Sequence, residues 1–125
     1  MRVFVGIDGD DVGATLVSLV IQNKSNEAAL FSDRVIRGLR LVGDRIRQSG
    51  GKVLFIGGDN LLAELEFDQD LLHELQEIFK AETGCEVTIG VGRFPVEAYL
   101  ALKLGKGRGK GQIVQFDEAF ANEGR

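Results

Sequence analysis

The sequence predicts an α+β domain: a sheet that contains antiparallel pairs, with helices on one face. Two observations carry this prediction. Strand-like and helix-like patterns alternate in the order β-α-α-β-β-α-β-α-β. A single hairpin sits between helical crossovers, which is the arrangement of a ferredoxin-like sheet. There is no internal repeat and no linker long enough to split the chain, so residues 1–125 read as one domain.

Each element follows from local pattern. Arg2 to Ile7 is a strand, with Val3, Val5 and Ile7 pointing one way and Phe4, Gly6 and Asp8 the other. Asp10 or Asp11 can cap a helix from Val12 to about Gln22. After a polar turn at Lys24–Glu27, a helix to Gln48 carries the stripe Ala28, Phe31, Val35, Leu39, Val42 and Ile46. Ser49-Gly50-Gly51 ends it. Lys52–Ile56 and Asn60–Phe67 form the hairpin. In its second strand Leu61, Ala63, Leu65 and Phe67 alternate with Glu64 and Glu66, so one face is buried and one is wet. Asp68 or Asp70 starts a helix with Leu71 or Leu72, Leu75, Ile78 and Phe79 inward, ending before Gly84. Glu86–Val91 is a strand. Pro95 opens a short helix to about Leu104. Gly105–Gly111 reads as a loop, Gln112–Phe116 as the last strand, and Asp117–Arg125 as an acidic tail prone to fraying.

Composition narrows the function classes. A net charge of −4 argues against a protein that coats nucleic acid. Cys85 stands alone, so no internal disulfide forms, which suits a reducing compartment. Asp8 interrupts the initial apolar run, unlike a signal peptide. The longest apolar stretch, Leu16–Ile21, includes Ser18 and is too short to span a bilayer. The expectation is a cytoplasmic protein with no membrane insertion and no stable nucleic-acid binding.

Two acidic stretches stand out. Ile7-Asp8-Gly9-Asp10-Asp11 follows the first strand, and Gly57-Gly58-Asp59-Asn60 forms the hairpin turn. Gly-Gly and Asn supply the positive φ that a tight turn needs. If the two strands lie side by side, Asp8 and Asp59 meet at one edge of the sheet. Mg²⁺ is commonly held by one or two carboxylates plus substrate phosphates, so this is a candidate Mg²⁺–nucleotide site. Asp8, Asp10, Asp11 and Asp59 form the candidate cluster; for Asp11, helix capping is the better reading. Lys103, Lys106, Arg108 and Lys110, interleaved with glycines, can grip phosphate or form a solvated loop. Their spacing is not that of a P-loop, and Lys103 is the first choice for a contact. Gly6, Gly90, Gly92 and Thr88, small residues on one strand face, mark either a bend or room for a nucleotide lying across the sheet. His73 reads as surface and Cys85 as neither nucleophile nor metal ligand. Arg93 can reach a phosphate or a partner, or be a surface residue.

Asp8-Gly9-Asp10 after a strand, together with Ile56-Gly57-Gly58-Asp59-Asn60 in a hairpin, resembles the palm of the nucleotidyl cyclase and CRISPR-polymerase superfamily, which includes GGDEF diguanylate cyclases. The match is best to the minimal CRISPR polymerase family of single-palm proteins. The resemblance implies Asp8, the Gly9 carbonyl and Asp59 as ligands of Mg²⁺ or Mn²⁺, with Asp8 and Asp59 catalytic. It implies nucleotide contacts from Gly57, Gly58, Asn60, Lys103, Lys106, Arg108 and Lys110. Asn60 departs from the pattern, since many relatives carry Asp or Glu there. The implied activity is synthesis of a cyclic di- or oligonucleotide from ATP or a related triphosphate in antiviral, anti-phage signalling, by a homodimer whose product an effector reads. Alternatives are a purine-ring hydrolase like the third-type GTP cyclohydrolases, suggested by Phe55–Asn60 and Ile89-Gly90-Val91-Gly92-Arg93, and a non-catalytic nucleotide sensor.

Overall fold

The computed structural model describes residues 1–121. In chain order they form β1 (Arg2–Gly9), α1 (Val12–Ile21), α2 (Ser25–Gln48), β2 (Lys52–Gly57), β3 (Asn60–Glu66), α3 (Gln69–Thr83), β4 (Val87–Gly92), α4 (Pro95–Arg108), β5 (Ile113–Gln115) and α5 (Phe116–Ala121). The α+β class and the order of elements are as expected. α5 is an addition: it lies where the tail was expected to fray, and residues 122–125 of that tail fall outside the described residues.

The strands form one sheet in the order β2-β3-β1-β4-β5. β1 pairs antiparallel with both β3 and β4, and β4 pairs parallel with β5. One face of this sheet is the core. Val3, Val5 and Ile7 of β1, Leu61, Ala63 and Leu65 of β3, and Val87, Ile89 and Val91 of β4 are buried against α2 and α3. The α2 stripe residues Val35, Leu39, Val42 and Ile46 supply the upper layer, with Leu72, Leu75 and Phe79 of α3. The Asp68 carboxylate caps α3 by accepting from the N–H groups of Asp70 and Leu71, and Gly84 ends it in the left-handed region at φ 75.

α4 departs from the expectation of helices on one face. It lies on the opposite face from α2 and α3, against the side that carries Gly6, Thr88, Gly90 and Gly92. A Cβ on Gly90 would sit 2.3 Å from the Ala98 carbonyl oxygen and 2.3 Å from the Leu102 nitrogen. On Gly92 it would meet Glu97 Cβ at 2.4 Å. Gly90 and Gly92 therefore admit the backbone of α4, where the small side chains had suggested either a bend or room for a nucleotide. Gly105 works from the helix side, where a Cβ would meet Thr88 Cγ2 at 2.7 Å. This packing overrides the weak helix propensity of glycine. It carries α4 one turn past Leu104 to Arg108, so Gly105–Arg108 is helix where a loop was expected.

The glycines differ in how much they can tolerate. At Gly6 an added Cβ meets Leu102 Cδ2 at 3.5 Å, an ordinary contact. Gly90→Ala is expected to destabilise the fold by about 3 kcal/mol or more, because backbone atoms must move. Gly6→Ala is expected to cost less than about 1 kcal/mol. Urea unfolding of the two variants checks this, and equal midpoints would contradict the packing.

Candidate active site at the sheet edge

The site begins with strand register. β1 places Asp8 opposite Asn60 on one side and Thr88 on the other. The hairpin turns at Gly58, with φ 56, and Asp59. The Gly9 N–H then donates to the Asp59 carbonyl at 3.0 Å, fastening the turn to the end of β1. Gly9 itself has no room for a side chain: a Cβ would lie 2.7 Å from Val12 Cγ2 and 3.3 Å from the buried Phe79 ring.

The two carboxylates foreseen from sequence are brought together. Asp8 is pushed up from 3.8 to about 6, first by burial, then by the neighbouring Asp59 charge, against a lowering by Lys106. Asp8 Oδ1 is buried and has no hydrogen-bond partner. A buried acceptor facing a second carboxylate is an arrangement that a divalent cation would relieve.

Asp10 and Asp11 do not join this pair. Asp10 is 6% exposed. Its carboxylate accepts from Thr88 Oγ1 at 2.9 and 3.1 Å, Lys106 Nζ at 2.7 Å and the Gly111 N–H at 2.8 Å. Asp11 occupies the cap position of α1 in the left-handed region at φ 61, but its side chain makes no cap hydrogen bond. It pairs instead with Lys110 at 2.6 Å. Among the described residues no three acidic, His or Cys side chains are grouped to hold a metal, so the four-carboxylate cluster reduces to Asp8 and Asp59.

The basic residues separate by role. Lys106, on the last turn of α4, reaches the acidic edge: its ammonium donates to the Gly9 carbonyl at 2.9 Å and lies 3.7 Å from Asp8 Oδ2. Sequence reasoning favoured Lys103 because it sits in a helix. With α4 one turn longer, the residue one turn on is the one beside Asp8. Lys103 instead stands over the Tyr99 ring, 5.3 Å from its centroid. Arg108 is exposed. Arg93 is at the far end of β4 and pairs with Asp117 at 3.7 Å, so it is a surface residue. His73 is exposed beside Gln69. Burial raises the Cys85 thiol, which leaves it a poor nucleophile.

The edge is flanked by a cavity on each face of the sheet. One of about 600 Å³ lies on the α4 side and includes Asp8, Asn60, Lys103 and Lys106 in its wall. One of about 350 Å³ lies between α1, α2 and the hairpin and includes Asp59. Sequence reasoning missed this two-sidedness, because it depends on where α4 packs.

Two outcomes test the electrostatics. The folded-state pKa of Asp8 lies above its unfolded value, so the folded protein binds the extra proton between about pH 4 and 6, and stability falls as pH rises through that window. Asp8→Asn in chelator should therefore melt a few degrees above wild type at pH 7.5, with the gain gone by pH 4. No gain at neutral pH would contradict a repulsive pair. Lys106→Met should cost about 2–3 kcal/mol by leaving Asp10 without its cation, while Lys103→Met should be nearly neutral in urea unfolding.

Known proteins share this fold. The GGEEF domain of a diguanylate cyclase from Vibrio cholerae superposes with a TM-score of 0.63 at 13% identity, over 92% of this chain and 82% of that one. The GGDEF domain of DgcB from Caulobacter crescentus, solved with c-di-GMP, gives 0.66 at 13% identity, over 93% and 78%. A chain of a Csm1–Csm4 cassette in complex with cA4 gives 0.63 at 20% identity, over 90% of this chain and 20% of that one. At these identities the likeness is one of fold. No curated protein sequence matches the chain significantly. The sequence model of the minimal CRISPR polymerase domain matches residues 4–116, and the chain is a member of that family.

Proposed function

We propose that the protein is a Mg²⁺- or Mn²⁺-dependent nucleotidyltransferase that makes a cyclic di- or oligonucleotide from ATP or a related triphosphate. The observation that carries this reading is the Asp8–Asp59 pair, with its buried unpartnered oxygen and a lysine beside it. Family membership supports the reaction class. So do structural neighbours solved with c-di-GMP, cA4 and pppApA.

Asp8, Asp59 and the Gly9 carbonyl would hold the metal. When bound, the ion neutralises the triphosphate and lowers the pKa of the attacking hydroxyl. The protein's own groups do the rest. The register of β1 with β3 fixes Asp8 at a strand end and holds the hairpin turn that carries Asp59 beside it. Lys106 Nζ, already among the oxygens of Asp8, Gly9 and Asp10, is within reach of an anion bound at the edge. Lys110 and Arg108 add positive charge at the same end of α4. In the reaction a ribose hydroxyl of one nucleotide gives up its proton to solvent and its oxygen bonds to the α-phosphorus of another. The bond to the β-phosphate breaks, and pyrophosphate leaves toward these cations. Asn60, in place of an acid, adds no third carboxylate.

Gly57 and Gly58 keep the turn slim, leaving space for phosphate beside Asp59. The wider reading follows the family: a homodimer in the cytoplasm, whose product signals viral attack to an effector. Among the described residues no helix is long and apolar enough to cross a membrane.

The test is chromatography with mass spectrometry of reactions containing each NTP and Mg²⁺. A cyclic product and pyrophosphate are expected, both lost in EDTA. Asp59→Ala should lower turnover about 100-fold or more with the fold intact by circular dichroism. Tightly bound but unreacted nucleotide would replace catalysis with sensing, and a formylated pyrimidine from GTP would point to ring hydrolysis.

A further inference from the structure

The cavity on the α4 face is a groove with an unusual construction. α4 covers β1 and β4 on that face, leaving β3 and β2 bare beside it. The floor is Leu62, registered opposite Gly6 on one side and Phe55 on the other. Phe55 faces the groove because β2 carries an irregularity between Val53 and Phe55. Val53 and Ile56 pack toward α2, on the core face, against Gly43. Without the extra residue at Leu54, Phe55 would share that face with Val53. The opposite wall is Tyr99 of α4. Both rings are 54% exposed, although each is large and apolar.

The groove is apolar along its length and polar at one end. That end holds Asp8, Lys106, Lys103 and Asn60, whose side-chain amide has no hydrogen-bond partner among the described residues. At about 600 Å³ it is of the size that takes a small organic ligand. Two exposed aromatic rings suit a flat ring, which stacks on them. A free amide suits the donor and acceptor edge of a base. The lysines suit a phosphate joined to that ring. The occupant that satisfies all three is a nucleotide.

We propose that this groove is a nucleobase pocket: it holds the base of one of the two nucleotides that the enzyme joins, between Phe55 and Tyr99, with its phosphate at Lys103 and Lys106. This rests on the nucleotidyltransferase reading, and it assigns the groove a role separate from the metal ligands. The smaller cavity, which contains Asp59, lies across the sheet edge from it, so the carboxylate pair is reachable from both faces.

Tyr99 is the only tyrosine, so its ring resonances report on the groove without ambiguity. AMP, which has no pyrophosphate to lose, is titrated into the wild-type protein in EDTA and followed by NMR. The expected result is a saturable shift of the Tyr99 ring, absent with ribose 5-phosphate. Ligand-observed NMR should show AMP binding about tenfold or more weakly to Tyr99→Ala, and that exposed substitution should leave the fold unchanged. An unmoved Tyr99 in a preparation that makes product with Mg²⁺ would overturn the pocket and leave the function standing. Equal shifts with ribose 5-phosphate would reduce it to a phosphate site and overturn it as well. A saturable Tyr99 shift with AMP in a protein that makes no product would overturn the nucleotidyltransferase reading, and with it the pocket's role in joining nucleotides, leaving a groove that only binds them.

Discussion

Two like charges held together by strand register are the constraint on which the rest of this protein depends. Asp8 and Asp59 are far apart in sequence, and both would be better solvated apart. They meet because the β1–β3 ladder pairs Asp8 with Asn60 and because the Gly9 N–H binds the Asp59 carbonyl. That ladder is anchored by Val3, Val5, Ile7, Leu61, Ala63 and Leu65 in the core. Burial of this apolar surface, at about 25 cal/mol per Å², offsets the repulsion at the edge. Local strain at the site is sustained by packing elsewhere, as functional sites generally require.

Asp10 shows how the same short acidic stretch is divided into different jobs. Neighbouring residues on β1 point to opposite faces, but Asp10 lies past the strand and turns back into a buried knot with Thr88, Lys106 and the Gly111 N–H. That knot ties the end of β1 to β4, to the end of α4 and to the turn before β5. It neutralises one carboxylate and brings one ammonium to the acidic edge. Two members of the basic run are thus bound to carboxylates of the protein itself. Lys110 pairs with Asp11, and Lys106 with Asp10.

Much of the fold was legible because the sheet announces itself in period two. The alternation of Leu61, Ala63 and Leu65 with Glu64 and Glu66 matches the burial of β3 residue by residue. The hairpin and the Asp8–Asp59 pairing followed from the turn chemistry of Gly57-Gly58-Asp59-Asn60. The placement of α4 was not legible. Gly6, Gly90 and Gly92 say that something comes close, but a missing side chain does not say whether that is a ligand or a helix backbone. Gly105 and Gly107 read as helix breakers, and only contact with Thr88 and Val114 keeps Gly105 helical. The position of Lys106 beside Asp8 was not legible for the same reason, since a helix one turn longer moves the reach of every basic residue on it. The extra residue at Leu54 left no local signature, because Val53-Leu54-Phe55-Ile56 is apolar throughout.

That irregularity in β2 has a consequence beyond the groove. β2 is the border strand of the sheet, and the border of a sheet is a template on which another chain can add a strand. A residue out of step twists the template and breaks the run of groups available for docking. The opposite border, β5, is only Ile113–Gln115 and leads directly into α5. Both rims thus discourage growth of the sheet from molecule to molecule. The fold leaves its side-chain surfaces, more than its strand borders, open for contact with other molecules.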